Sequence, residues 1–242
     1  LYFHPLFYLV AFICLLTGHF KNLFYFTIII LVHELGHSLT GILLKFKLNR
    51  IEIYPYGGCS KLEYDVNIPI FKEFLVLIMG PIIQTVFVYI IKISNLSVPT
   101  YFYMYHYFIL FFNLLPIFPL DGGRLLQLLL FLIFSYYYSQ RYIIYFSYFL
   151  YLILFLYFAF FSWNLLILLI LILLGFQIYS EIHKANFYFE KFLMERYLYT
   201  YNFSKKKIIF EVKQMKRGYY HYFILKNNYY SETIFLKKYF EL

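Results

Sequence analysis

The sequence predicts an all-α polytopic membrane protein with about six transmembrane helices, a short membrane-associated β-hairpin and a small cytoplasmic αβ tail. Three observations lead there. Hydrophobic residues fill 63% of the 242 positions and charged residues only 14%, where a soluble domain runs near half apolar and a quarter charged; mean hydropathy is +0.68. Apolar runs of about 20 residues, the length that crosses a bilayer, recur up to about residue 180. Residues 181–242 then turn charged, tyrosine-rich and basic. The same composition excludes a disordered, collagen-like or coiled-coil chain. Two cysteines, Cys14 and Cys59, are too few for a disulfide framework or a Cys-rich metal site.

The first span is expected at about Tyr2 to Phe20, a retained segment because no charged n-region and small-residue cleavage site mark it for removal. The second runs from about Leu23 to Phe46 and is interrupted by His33, Glu34 and His37. Between Lys47 and Asp65, alternation around Tyr54-Pro55-Tyr56-Gly57-Gly58 predicts a hairpin with a glycine turn. A third span, about Ile70 to Ile93, carries a Gly80-Pro81 step that kinks it unless neighbours satisfy the freed carbonyls. Tyr101 to Phe134 is too long for one straight crossing and is broken by NLLPIFPLDGGR at Asn113 to Arg124, so it reads as a fourth, interrupted span. Spans five and six, about Tyr142 to Phe160 and Trp163 to Tyr179, form a tight antiparallel pair.

Six crossings with both termini cytoplasmic put Lys45, Lys47, Arg50, Arg141 and Lys184 on one side, as the positive-inside rule asks. Lys92 falls on the other side, where its long stem can snorkel. The expected organisation is therefore a membrane core over 1–180, a linker helix over 181–204 and a short αβ unit over 205–242. The net charge of +9, from 21 Lys+Arg against 12 Asp+Glu, lies largely in that tail. Beside a final span such charge is better explained by an anionic leaflet than by nucleic acid, so no direct nucleic-acid partner is expected.

Chemistry concentrates at His33-Glu34-Leu35-Gly36-His37. Residues four apart share a helix face, so the two imidazoles of this HExxH pattern converge on one metal ion while the glutamate lies alongside to act on water. An ionisable group at mid-membrane costs at least about 2.5 kcal/mol on insertion scales and is a functional candidate by default. The blander readings are an inert hydrogen-bonded cluster and a wet transport path. A catalytic zinc takes three protein ligands, and Asp121 in PLDGGR is the natural third. Its alternative is an N-cap for a helix starting near Gly122. His4, His19, His106, His183 and His221 have no partner at ligand spacing and read as interfacial or tail residues.

HELGH in the second span together with NLLPIFPLDGGR in the fourth resembles the site-2 protease family of intramembrane zinc metalloproteases, whose paired motifs are HExxH and NxxPxxPxDGG. The resemblance implies that His33, His37 and Asp121 bind Zn2+, that Glu34 is the catalytic base, and that Asn113 and Pro116 position the substrate backbone. Gly80-Pro81 is similar to the Gly-Pro element of the family's third core helix. Within the family, the PYGG segment, the FEKFLMERY helix and the tail run KRGYYHYFILKNNYYSETIFLKKYF resemble the sporulation proteases of endospore-forming bacteria, the last run being similar to the later part of a CBS domain. That likeness implies a membrane-associated sigma-factor precursor as substrate, cut at its N-terminal prosequence. It also implies inhibitory membrane proteins as partners, residence in the mother-cell membrane around the forespore, and room for a homo-oligomer. A substrate must present extended backbone, and pairing with the Ile51 to Tyr54 strand is the expected means. A site-2 protease acting on another regulatory substrate, a metal or proton transporter using the same intramembrane residues, and a non-catalytic scaffold are the alternatives.

Overall fold

A computed structural model of the chain describes residues 1–242 apart from 55–56, 95, 162–164, 226–227 and 242. It divides into two compact units, residues 1–64 with 71–115 and residues 65–70 with 116–242.

The first unit runs β1 (Tyr2–Phe3), α1 (Pro5–Leu16), α2 (Phe20–Leu43), β2 (Lys47–Tyr54), β3 (Gly57–Glu63), α3 (Ile70–Ile93) and α4 (Thr100–Asn113). Helix α1 starts later than the expected first span. Tyr2 and Phe3 are extended and pair in parallel with Glu52 and Ile53, while His4 caps the helix, its Nδ1 accepting from the Leu6 N–H, and Pro5 occupies the first turn. Twelve residues rise about 18 Å, short of the roughly 30 Å of bilayer hydrocarbon. Helix α2 closes through bonds from Lys45 N–H to the Ile42 carbonyl and from Phe46 N–H to the Gly41 carbonyl. Lys45 takes a left-handed φ of 65°, and this reversal feeds the chain directly into β2.

Strands β2 and β3 pair antiparallel from Lys47↔Glu63 to Tyr54↔Gly57, with an irregularity between Leu48 and Arg50. The expected hairpin is present; Pro55 and Tyr56 of its turn lie outside the described residues. Arg50 and Lys61 sit opposite each other, a like-charge pairing that would destabilise the ladder. Buried Glu52 resolves it by accepting from Arg50 Nε at 2.5 Å and Lys61 Nζ at 2.8 Å. The strand order β1-β2-β3 corrects one expectation: Ile51 to Tyr54 belongs to the central strand, whose second side is taken at Glu52 and Ile53 by β1, and the outer edge of the hairpin is β3. Helix α3 continues through Gly80-Pro81. The core of this unit gathers Ile29, Ile30, Ile53, Val88, Phe102 and Ile109.

The second unit holds α5 (Asp121–Ile133), α6 (Tyr136–Phe161), α7 (Leu165–Leu198), β4 (Lys205–Ile209), a 3-10 turn (Val212–Gln214), β5 (Tyr219–Leu225), β6 (Asn228–Ser231) and α8 (Glu232–Phe240). NLLPIFPLDGGR separates α4 from α5, so the interrupted fourth span is two helices of 14 and 13 residues. Among the described residues, four helices are long and apolar enough to cross a bilayer: Phe20–Leu43, Ile70–Ile93, Tyr136–Phe160 and Ile167–Leu198. Trp163 and the connection between α6 and α7 lie outside the described residues. The sixth expected span and the helix after it are one continuous α7.

The tail folds as a sheet in the order β4-β5-β6, the first pair parallel and the second antiparallel. It is tied to the end of α7 by a buried ion cluster. Arg196 donates from Nη1 to Glu232 Oε1 at 2.9 Å, from Nε to Asn67 Oδ1 at 2.6 Å and from Nη2 to the Lys216 carbonyl at 3.0 Å, between the rings of Phe192 and Phe203. His221 is fully buried here, which corrects its reading as an unremarkable tail residue. Its Nε2 accepts from the Lys216 N–H and its Nδ1–H donates to Glu232 Oε2, an arrangement that requires the neutral ring. Burial pushes the His221 pKa below the ordinary histidine value. Burial works against the Glu232 carboxylate, but the His221 hydrogen bond and the Arg196 charge outweigh it and hold its pKa low.

Both folded-state values lie below their unfolded ones, so each group's contribution is complete above its unfolded pKa and is lost as pH falls through the folded one. The window opens below about 6.5 for His221 and below about 4.3 for Glu232. Amide exchange in 205–240, corrected for intrinsic rates, is expected to quicken between neutral pH and the acid side of that first window. Glu232→Ala, which strips Arg196 of its carboxylate, is expected to cost about 3–5 kcal/mol in denaturant unfolding of the tail. Unchanged exchange and unchanged stability would remove the cluster from this role.

Candidate metal centre

His33, Glu34 and His37 lie on one face of α2 and are all at least nine-tenths buried, with exposures of 2%, 5% and 6%. Hydrogen bonds at the far side of each ring decide what the near side offers. His37 Nδ1 lies 2.8 Å from the Val76 carbonyl of α3; a carbonyl only accepts, so Nδ1 carries a hydrogen and Nε2 is the lone-pair atom of the neutral ring. His33 Nδ1 lies 2.8 Å from Gln84 Oε1. The Gln84 amide is oriented by its other end, where Nε2 donates to the His106 carbonyl at 3.1 Å and to His106 Nδ1 at 3.0 Å. His33 therefore also carries its hydrogen on Nδ1.

The two Nε2 atoms face each other 3.1 Å apart. Two lone pairs at that separation repel unless a positive charge sits between them, either a shared proton or a metal ion. Two imidazole ligands at about 2.0–2.1 Å from a tetrahedral zinc are about 3.3–3.4 Å apart, so the pair fits that ion closely. Asn113, at the end of α4, brings Nδ2 to 3.5 Å from His33 Nε2.

Glu34 points at the hairpin. Ser60 of β3 has its hydroxyl 2.7 Å from Glu34 Oε2 and 3.0 Å from the Glu34 carbonyl, and Ser38 lies 3.0 Å from the same hydroxyl. The β3 backbone passes so close that a β-carbon at Gly58 would sit 2.4 Å from Glu34 Cγ. Gly80 makes the matching approach from α3: a β-carbon there would meet His37 Nε2 at 2.3 Å. The lone Gly-Pro step of the sequence thus has a steric role at the ring that faces the metal position.

The sequence profile of peptidase family M50 matches residues 21–99 and 91–157, more than half of the chain and including every residue of this constellation. The chain belongs to peptidase family M50. Among M50 relatives it is 39% identical over 132 residues to Stage IV sporulation protein FB of Bacillus subtilis (strain 168), covering 52% of this chain and 46% of that one. It is 32% identical over 110 residues to a zinc metalloprotease of Methanocaldococcus jannaschii, covering 42% and 32%. The matches span less than half the length of these two curated relatives. The solved structure of the site-2 protease from Methanocaldococcus jannaschii superposes with a TM-score of 0.58 at 25% identity, covering 74% of this chain and 88% of that one. Family and apolar helices together make this M50 chain an integral membrane protein.

Asp121 and Pro116 belong to the second unit. Asp121 is the first residue of α5, and Leu120 is the N-cap. The alternative of Asp121 as the cap itself therefore does not hold. Three residues of the centre were not singled out in the sequence. Ser60 and Gln84 carry no motif, and His106 read as interfacial although it is 4% exposed and bonded to Gln84. The signal for Gln84 was an amide in the middle of an apolar span, which needs partners for both ends.

Gly80→Ala is expected to lower zinc affinity at least about tenfold by crowding His37 Nε2. Gly57→Ala, whose β-carbon meets nothing within 4 Å, is expected to leave it unchanged. Metal content of the two purified variants, read side by side after chelator challenge, checks this; equal retention would overturn it.

Proposed function

We propose that this chain is an intramembrane zinc metalloendopeptidase that hydrolyses a peptide bond of a membrane-associated protein, with zinc held by His33, His37 and Asp121 and with Glu34 as the base. The observation that carries the reading is the pair of Nε2 atoms 3.1 Å apart with both Nδ1 atoms committed elsewhere, on a helix apolar enough to lie in a bilayer. The names of the relatives, a zinc metalloprotease and a site-2 protease, support it.

Bound there, zinc supplies Lewis acidity toward a scissile carbonyl and brings the pKa of a water near 7. Glu34, its carboxylate oriented by Ser60, takes a proton from the attacking water and delivers it to the amine nitrogen as the C–N bond breaks. No covalent enzyme intermediate is needed. Asn113 and Pro116 hold the substrate backbone in this reading. The substrate segment is extended and adds to the outer edge of β3, the strand that already contacts Glu34 through Ser60.

In the same reading the whole Tyr2 to Phe20 stretch, of which α1 is the helical part, and the interrupted NLLPIFPLDGGR region each count as one crossing, which gives six and leaves both termini cytoplasmic. Residues 1–180 form the protease core, 181–204 the linker and 205–242 a short CBS-like tail. Likeness to Stage IV sporulation protein FB supports a sporulation setting: a sigma-factor precursor as substrate, inhibitory membrane proteins as partners, and the mother-cell membrane around the forespore as the location.

The test is co-expression with a tagged, membrane-associated sigma-factor precursor. Wild type is expected to shorten the precursor; Glu34→Gln is expected to lose at least about a hundredfold in rate while keeping zinc, and Asp121→Asn to lose both cleavage and zinc retention. Equal processing by all three would remove this chain as the protease. A wild type that holds no zinc would remove the assigned ligands.

A further inference from the structure

We propose that Gln84, backed by His106, is a positioning residue that sets the tautomer of His33 and thereby keeps the centre open to a metal ion. The proposal rests on the reading of His33 and His37 as metal ligands and adds what prepares them.

Gln84 is 0% exposed in the middle of α3. A primary amide in that position is costly unless its donors and acceptor are all used, and here they are. Oε1 accepts from His33 Nδ1, and Nε2 donates both to His106 Nδ1 and to the His106 carbonyl. The amide cannot rotate end for end, because that would aim Oε1 at a backbone carbonyl oxygen and turn its donors on the Nδ1–H of His33. One backbone carbonyl therefore dictates, through one amide, which nitrogen of His33 carries the hydrogen.

The consequence lies 3.1 Å away. Were His33 released from Gln84, its other neutral tautomer would place the hydrogen on Nε2 and donate it to His37 Nε2 at that distance. The two rings would then satisfy each other in a neutral hydrogen bond and close the centre against metal. His37 needs no such device from a side chain, because the Val76 carbonyl holds its Nδ1–H directly. His33 has Gln84 in the place where His37 has backbone.

The experiment uses purified full-length protein and zinc alone as the probe, with chelator competition for affinity and the cobalt-substituted absorption band for geometry. Gln84→Leu is expected to weaken zinc binding about 10–100-fold, with a helical content equal to wild type. Gln84→Glu in its neutral acid form accepts from His33 through its carbonyl oxygen and donates its O–H to the His106 carbonyl, two of the contacts the amide makes, and is expected to restore affinity to within about threefold of wild type. Nitrogen-15 spectra of zinc-free, histidine-labelled protein above the ordinary histidine range are expected to show His33 protonated on Nδ1 in wild type and shifted toward Nε2 in Gln84→Leu.

Equal zinc affinity in wild type and Gln84→Leu overturns this proposal alone. A wild type that binds no zinc overturns the ligand reading and this proposal with it. If Gln84→Leu fails to fold, the wild-type spectrum decides: His33 protonated on Nε2 overturns the proposal, and protonation on Nδ1 together with rescue by Gln84→Glu supports it.

Discussion

The opposed Nε2 atoms of His33 and His37 are the constraint on which the surrounding structure depends. At 3.1 Å they need a positive charge between them, and they are kept in that arrangement by hydrogen bonds on their far sides. Those bonds come from two places on α3, the Val76 carbonyl and the Gln84 amide. The packing of α3 is correspondingly tight, with Gly80 at the point of closest approach to His37. A helix built only to fill a membrane would have little use for a buried glutamine, a glycine and a proline within five residues.

The hairpin supplies the second half of the centre. Because α2 ends in a left-handed turn at Lys45, the strands that follow fold back on the helix, and β3 carries Ser60 to the carboxylate of Glu34. The same strand forms the outer edge of the sheet, since β1 and β3 occupy both sides of β2. The Ser60 contact to Glu34 and an outer edge of the sheet therefore reside on one short element. The buried Glu52, shared by Arg50 and Lys61, holds that element in register.

The second unit solves a different problem. Its tail is small, and a unit of that size has little apolar area with which to hold itself together. Arg196 compensates by joining α7, the 65–70 segment and the tail through one guanidinium, with Glu232 and the neutral His221 completing the cluster. The tail thus depends on the end of α7 for its charge balance, and its stability acquires a dependence on pH through His221 and Glu232.

The membrane class, the hairpin, the HExxH face of α2 and the break before Asp121 were legible in the sequence because each rests on local pattern: apolar run length, alternation, helical spacing and Gly/Pro punctuation. The late start of α1 was not, since Tyr2 and Phe3 are apolar enough for a helix and become a strand only because β2 offers them an edge. Nor was the choice of β3 as the outer strand, which depends on that same distant pairing. His106 and His221 looked peripheral because their partners, Gln84 and Glu232, stand 22 and 11 residues away with no periodic relation. The sequence by itself determined which atoms are available to bind a metal. Only the tertiary structure decided which nitrogen of each ring faces it, because that depends on a carbonyl and an amide contributed by another helix.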